Sequence, residues 1–384
     1  MKNESRLFGT LKRYPVARFL SSPGLSVILL LLLVVLTFWG TIYQVEHGLQ
    51  AARTRFFGSW LLLIFGFIPF PGVKSVMVVA ILNVLGSLLL RIPFRKTAVG
   101  LHLTHLGIIV LLFGAGGAQM LSRESFIVLA EGESIDMSAD YRNWELVAYG
   151  QGNQMSAGDA PETIAVKDLK PGSRHVLQNS GLRMEIEAAY RNAEPVVVKD
   201  ERSGMSRIEG VRRLSPEKEA SSNMPGLVLS VSMPGGPERR LSLWAGTGTP
   251  VAIGLGEGSG PRIAIRRKMH KLPVRLELID FKKTIHPGTN VPKSFESHLN
   301  ITGGDVNREV VVSMNRPFRH MGWAFYQSAY SDRGGVETTT LAVVNNPMRH
   351  FPYAASLLMA AGLIIHFLIK LTGYTKKRDL ANAS

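Results

Sequence analysis

Four long apolar runs, three in the first third of the chain and one near its end, decide what this sequence can fold into. They cover residues 25–43, 73–90, 97–118 and 350–371, and each approaches the ~20 apolar residues that a helix needs to cross a bilayer. Between the third and fourth lies a stretch of ordinary soluble character, residues 119–347, rich in charges and turns. The first run follows a basic leader, residues 1–24, with Lys12, Arg13 and Arg18. No small-residue cleavage site follows it; Trp39 and Tyr43 do, as expected where a retained helix leaves the membrane.

The cations set the orientation. The leader, the connection 91–96 and the tail 372–384 are dense in Lys and Arg and fall on one side of a four-span chain, which the positive-inside rule makes cytoplasmic. Both termini are then inside an inner (cytoplasmic) membrane, and the loop 44–72 and the domain 119–347 lie outside. Within the loop, Gly58 to Pro71 is apolar but interrupted by Pro69 and Pro71. It reads as an interfacial or re-entrant piece, with a fifth span as the plainer alternative.

In the outer stretch, apolar residues alternate at Met184, Ile186, Ala188 and Tyr190, at Leu227, Leu229, Val231 and Met233, and at Val274, Leu276 and Leu278. Period two argues half-buried antiparallel strands. Pro234-Gly235-Gly236-Pro237 and His286-Pro287-Gly288-Thr289 read as turns. The expected fold class is a four-helix integral membrane protein with a large extracytoplasmic all-β domain, a sandwich or an open barrel. The glycines from Gly246 to Gly260 lack the Lys-Ser/Thr ending and the following helix of a phosphate loop, so they read as surface loops.

Net charge is +15, but the basic residues are scattered or flank the apolar runs, so the expected surroundings are a lipid bilayer and no nucleic acid. There is no cysteine. Thiol exchange, iron–sulfur ligation and thioether attachment of haem to this chain are therefore excluded, and any thiol chemistry belongs to a separate reductant. No GxSxG, carboxylate pair or nucleotide loop is present, so no catalytic residue is assigned.

Chemistry concentrates in the third run, LHLTHLGIIVLLFGAGG. His102 and His105 share one helix face, while Gly100, Gly107 and Gly114 recur every seven residues on the other, where helices pack closely. Ionisable groups inside a membrane usually face a partner or a cofactor. A neutral imidazole suits haem iron, and an interhelical hydrogen bond is the alternative. Asn83, at a similar depth in the second run, would orient His105 from behind. His366 is a conceivable second ligand or a side chain snorkelling to the inner headgroups. His286, His298, His320 and His350 show no metal-binding spacing and read as structural.

Beyond these residues, GTIYQVEHGLQAARTRFFGSW, IPFPGVKSVMVVAILNVLGSLLLR, GLHLTHLGIIVLLFGAGG, VLAEGES, LPVRLELIDF, HPGTNVPKSFESHLNI, VSMNRPFRHMGWAFYQSAYS and a final NNP occur in fixed order. The set resembles the ResB/CcsB family of System II cytochrome c biogenesis over nearly the whole chain. The resemblance implies a subunit that acts with a CcsA/ResC-type membrane protein to bring haem b outward and attach it to the CxxCH cysteines of apocytochrome c. It places the family's His-Leu-Gly on His105, Leu106 and Gly107, so His105 is the expected axial ligand, with His102 as alternate and His366 demoted because the second ligand comes from the partner. The tryptophan-rich segment of a complete synthase is missing, which implies a non-catalytic subunit. Phe325, Tyr326, Gln327 and Tyr330 could contact apocytochrome, although strand packing is the favoured account of them. The rival reading is a scaffold that binds no haem.

Overall fold

The computed structural model describes residues 14–64, 66–150, 161–199, 206–253, 260–289, 291–333 and 336–382. The chain divides into two compact units, residues 1–123 with 346–384, and residues 124–345.

In the first unit a short helix, α1 (Pro15–Leu20), precedes α2 (Pro23–His47). Ser22 Oγ accepts from the Leu25 N–H at 3.1 Å and Pro23 occupies the first turn, so α2 starts at a clear cap. It stops at Gly48, whose φ of +83° is open to glycine and poor for other residues. A four-residue helix, α3 (Leu49–Ala52), and a wider turn over Arg53–Phe57 fold back so that Phe56 and Phe57 lie against Gly40 of α2. The strands β1 (Leu61–Ile64) and β2 (Ile68–Pro71) then form an antiparallel hairpin, and α4 (Val73–Gly86) continues through a wide turn to Arg91. The apolar piece Gly58 to Pro71 is thus a hairpin and not a fifth span. Its prolines forbid a continuous helix.

Two longer helices, α5 (Val99–Leu121) and α6 (Phe351–Asn382), complete the unit. Among the described residues, four helical segments are long and apolar enough to cross a membrane: Pro23–His47, Val73–Arg91, Lys96–Leu121 and Phe351–Thr375. Beyond the apolar span, α6 continues as helix to Asn382, through most of the expected tail 372–384.

The second unit is all β, with only single 3₁₀ turns among its described residues. Its strands are β3 (Arg123–Ala130), β4 (Ser134–Tyr149), β5 (Glu162–Ala165), β6 (Arg174–Leu177), β7 (Leu182–Tyr190), β8 (Ala193–Lys199), β9 (Ser206–Arg213) and β10 (Gly226–Ser232). They continue as β11 (Arg239–Trp244), β12 (Val251–Ala252), β13 (Arg262–Ile285), β14 (Pro292–Gly303), β15 (Val306–Ser313), β16 (Phe318–His320), β17 (Trp323–Arg333) and β18 (Val336–Asn345). A ten-stranded sheet runs β15-β14-β13-β4-β3-β18-β17-β16, with β12 beside β13 and β5 beside β4. A four-stranded sheet runs β11-β10-β7-β6, and β8-β9 is a separate hairpin. Among the described residues no sheet closes into a barrel.

Two cores follow. In one, Leu182, Met184, Ile186, Leu227 and Leu229 of the four-stranded sheet face Leu146, Ile263 and Ile265 of the large one, a sandwich packing. In the other, β3, β4 and the six strands from β13 to β18 all contribute to one cluster around Leu276, Leu278, Leu299 and Phe325, so the large sheet curls about its own side chains. The 24-residue β13 supplies both.

The alternations at Leu227 to Met233 and Val274 to Leu278 face these cores as expected. The one at Met184 to Tyr190 holds only to Ile186. A bulge between Val228 and Leu229 shifts the β7–β10 register, and Ala189 packs inward where Ala188 was expected to. The turns at Gly235 (φ +74°) and Gly288 (φ +75°) join β10 to β11 and β13 to β14. Of the glycine cluster, Gly246 sits in a 3₁₀ turn, and residues 254–259 lie outside the described residues.

Candidate functional site

The glycine stripe of α5 is a helix-packing seam, and its partner is α6. A Cβ on Gly100 would stand 2.5 Å from both Gly362 O and His366 N. One on Gly107 would meet Met359 Cγ at 2.6 Å and Ala355 O at 2.9 Å, and one on Gly114 would meet Phe351 Cβ at 2.4 Å. The approach is mutual, since a Cβ on Gly362 would lie 2.6 Å from Thr104 N. Small residues are what allow two membrane helices to touch backbone to backbone.

At about 100° per residue, His102 and His105 lie about 60° apart and roughly opposite that seam. Each donates from Nδ1 to the carbonyl one turn back, His102 to Ala98 O and His105 to Leu101 O, both at 2.9 Å. A bond to a carbonyl requires the proton on Nδ1, so both rings hold a lone pair on Nε2. The two differ in what surrounds that atom. His102 Nε2 is buried without a hydrogen-bond partner, its ring 4.9 Å from Phe94. That ring lines an open recess of about 430 Å³ with Leu88, Leu89, Leu103 and Leu106. His105 Nε2 has no hydrogen bond and is not enclosed by the protein.

Asn83 does not support His105. It is buried, and its amide is fully used elsewhere: Nδ2 donates to Leu20 O (2.7 Å) and Ser22 O (3.0 Å), and Oδ1 accepts from Ser26 Oγ (2.7 Å). Equal depth put it near His105 in expectation, but it binds the break between α1 and α2. His366 does not join the histidine face either. Its backbone abuts Gly100 on the seam side of α5, and its Nδ1 is buried without a partner. Of His102, His105 and His366, His105 alone pairs an Nδ1 proton held by a carbonyl with an Nε2 edge that is open, which fits one axial position of a haem iron.

In the β unit, Phe325 and Gln327 cannot meet a partner protein, because they point into the core. Phe325 is fully buried. Gln327 Oε1 accepts from Ser297 Oγ (2.7 Å), and its Nε2 donates to Thr339 Oγ1 (2.9 Å) and Ala329 O (3.1 Å), a buried network with every member satisfied. Alternation carries Tyr326 to the other face, where Arg319 lies 5.9 Å from its ring. A bulge between Gln327 and Ala329 then shifts the phase, and Tyr330 packs beside Phe281 and Phe295 with Lys283 over its ring. These four residues form no common surface.

His286 is exposed in its turn, His298 Nε2 is buried without a partner, His320 lies 3.4 Å from Asp305, and His350 accepts from Arg349 Nε. Among the described residues no three His, Asp or Glu side chains gather as a metal site.

One polar cluster escaped sequence reasoning. Asp140 accepts from the Arg142 and Asn143 backbone N–H groups (2.8 Å each) and from Asn143 Nδ2, and lies 3.1 Å from His270 Nε2. Beside it, Arg267 stacks 3.9 Å from the Trp144 ring centre. Burial pushes the Asp140 carboxyl up, but these hydrogen bonds outweigh it and hold the group below the usual 3.8. The Asp-x-x-Asn turn was readable locally; His270, 130 residues away, was not.

Fold and site together define a class, an anchor of four candidate membrane helices carrying one large antiparallel β domain. Residues 251–339, from β12 into β18, match the family model described as the ResB-like family, so this segment is similar to that family. No curated protein matches the chain. Three chains of solved structures match it. One is described as "Cytochrome c Heme Lyase CcmF", with 11% identity, 88% of this chain and 34% of that chain covered, and a TM-score of 0.20. This chain thus spans about a third of that protein, and a likeness so slight bears on neither fold nor function.

Proposed function

We propose that this chain serves in cytochrome c biogenesis, as a membrane subunit of a System II complex that holds haem within the bilayer and presents apocytochrome c for its attachment. The observation that carries the reading is the His105 ring. Its proton is fixed on Nδ1 by Leu101 O, its Nε2 lone pair is open, and it faces away from the seam that α5 shares with α6. A prefixed, unenclosed imidazole in a membrane helix invites a ligand-bearing partner. The ResB-like segment supports the pathway.

Haem is cargo in this reading, and it supplies the vinyl carbons to which two cysteine thiols of the apocytochrome add. This chain contributes His105 as one axial ligand; the second comes from a CcsA/ResC-type partner, since His366 sits on the wrong side of α5. Thiols must be delivered reduced by another protein, because this chain has no cysteine. Both termini are cytoplasmic and the β domain extracytoplasmic, in keeping with Arg91, Arg95, Lys96 and Lys370 flanking the spans on one side.

The test is the reduced-minus-oxidised absorption spectrum of the chain purified with its partner. His105→Ala abolishes the haem signal while the complex stays assembled; His102→Ala and His366→Ala retain it. An unchanged spectrum in His105→Ala removes this chain from the haem site. One observation favours a second reading, a scaffold that recruits apocytochrome without touching haem: the family match falls on the β domain and not on the spans. That reading predicts a colourless chain and a tolerated His105→Ala.

A further inference from the structure

The link between α2 and α4 carries a surface that the haem reading leaves unused. Residues 56–73 contain no charged side chain, and Arg53, Arg55 and Lys74 bracket them. In the β1–β2 hairpin the register is Leu61↔Pro71, Leu62↔Phe70, Leu63↔Pro69 and Ile64↔Ile68. Leu62 and Phe70 pack into the helix cluster with Leu36, Phe56 and Val76. Leu61 (65% exposed), Leu63, Trp60, Ile68 and the tip residue Phe67 (73% exposed) have no protein cover. So many large apolar side chains in one short hairpin mark a surface made for an apolar neighbour.

Height along the helices identifies that neighbour. The Ser26–Asn83 hydrogen bond sets α2 and α4 level at those residues. Ten residues outward on each, at ~1.5 Å per residue, bring Leu36 and Val73 to the same level, ~15 Å above it. Trp39 and Tyr43, aromatics of the kind that mark a bilayer interface, follow within the next two turns. Phe56 packs beside both, with ring centres 5.8 and 5.4 Å away. The hairpin therefore leaves the helices beside this aromatic pair and rejoins them at the level of Leu36, about 4.5 Å inward of Trp39.

Its backbone limits how deep it can go. Pro69 and Pro71 have no N–H to give β1, so β1 pairs through Ile68 and Phe70, and the outer edge of β2 offers no donors. The outer edge of β1 keeps the N–H groups of Leu61 and Leu63 unpaired, which hydrocarbon would not tolerate but a hydrated interface does.

We propose that the β1–β2 hairpin is a lipid-binding foot. It lies at the headgroup–acyl boundary of the leaflet that holds Trp39 and Tyr43, with Phe67, Leu61 and Leu63 in lipid and Arg53, Arg55 and Lys74 toward phosphates. This depends on the membrane spans and not on haem.

The absence of cysteine makes the test direct. Single cysteines replace Phe67, Leu63, Leu30 (lipid side of α2) or Val198 (exposed on β8), each carrying a nitroxide, in the full chain in nanodiscs of phosphatidylethanolamine and phosphatidylglycerol. Power saturation compares collision with oxygen, which dissolves in lipid, and with a water-soluble nickel chelate. The expected result is an oxygen-dominated response at Phe67→Cys and Leu63→Cys, as at Leu30→Cys. A nickel response matching Val198→Cys would place the hairpin in water, and exclusion of both reagents would mean that protein covers it; either overturns the proposal.

Discussion

The seam between α5 and α6 yields a sharp quantitative expectation. At Gly100 an added Cβ stands 2.5 Å from a carbonyl oxygen and a backbone nitrogen, 0.5 Å inside the 3.0 Å minimum that real Cβ contacts keep. Both obstacles are main chain and cannot rotate away, so Gly100→Ala must move one helix off the other. Overpacking of this kind costs about 1–3 kcal/mol. Gly116, on the same helix, has nothing within 4 Å of its Cβ position. Gly116→Ala changes helix propensity in the same way without the clash, so the difference between the two variants isolates the seam. Reversible unfolding of the full chain in bicelles, followed by circular dichroism, should place Gly100→Ala about 1–3 kcal/mol below Gly116→Ala. Gly362→Ala should behave like Gly100→Ala, and the pair should be less than additive because they relieve the same contact. If Gly100→Ala and Gly116→Ala unfold within about 0.3 kcal/mol of each other, the close approach of these helices is wrong.

Asn83→Ala strands Leu20 O and Ser26 Oγ and leaves Ser22 O with only the Ser26 N–H. At about 0.6 kcal/mol for an average bond inside a membrane and up to ~1.7 for the strongest, it should cost about 1–3 kcal/mol in the same unfolding assay while leaving any haem spectrum unchanged. Gln327→Ala opens the Ser297–Thr339 network and should destabilise the β domain by about 2–4 kcal/mol in thermal unfolding, with Tyr326→Ala within about 1 kcal/mol of wild type. Asp140 supplies a pH dependence. Its folded pKa lies below the usual 3.8, so its contribution is complete above that value and disappears as pH falls through the lower folded one. Asp140→Asn should therefore show a flatter loss of stability below about pH 4 than wild type in acid titrations followed by tryptophan fluorescence.

What could be read in advance depended on how far each signal reached along the chain. Apolar length alone located the four helices, and strict alternation located β10 and the centre of β13, because both signals are local. The glycine repeat in α5 announced a seam, but nothing nearby pointed to Gly362 as the other side. Asn83 was placed by depth, a one-dimensional measure that says nothing about azimuth, and so was assigned to His105 when Ser26 holds it. The phase error at Ala188 and the misreading of Phe325 and Gln327 have different origins. A bulge adds one residue to one strand and reverses every later inside–outside assignment, and an aromatic-rich strand such as FYQSAY looks the same whether its aromatics fill a core or meet a partner. The Asp140–His270 contact joins strands that pair only after folding.

The strand order carries a consequence for how the molecule assembles. The β unit begins at β3 and ends at β18, and these two strands are neighbours in its sheet. The helices that precede and follow it, α5 and α6, are the pair joined by the glycine seam. In genetic terms the β unit is a cassette inserted into a helical hairpin. Bringing two helices together across some 230 unstructured residues would cost about 5 kcal/mol in loop entropy. Once β3 and β18 pair, that loop is already closed. Helix docking then becomes a short-range event, and the folded domain lowers the entropic cost of closing the membrane anchor that carries it.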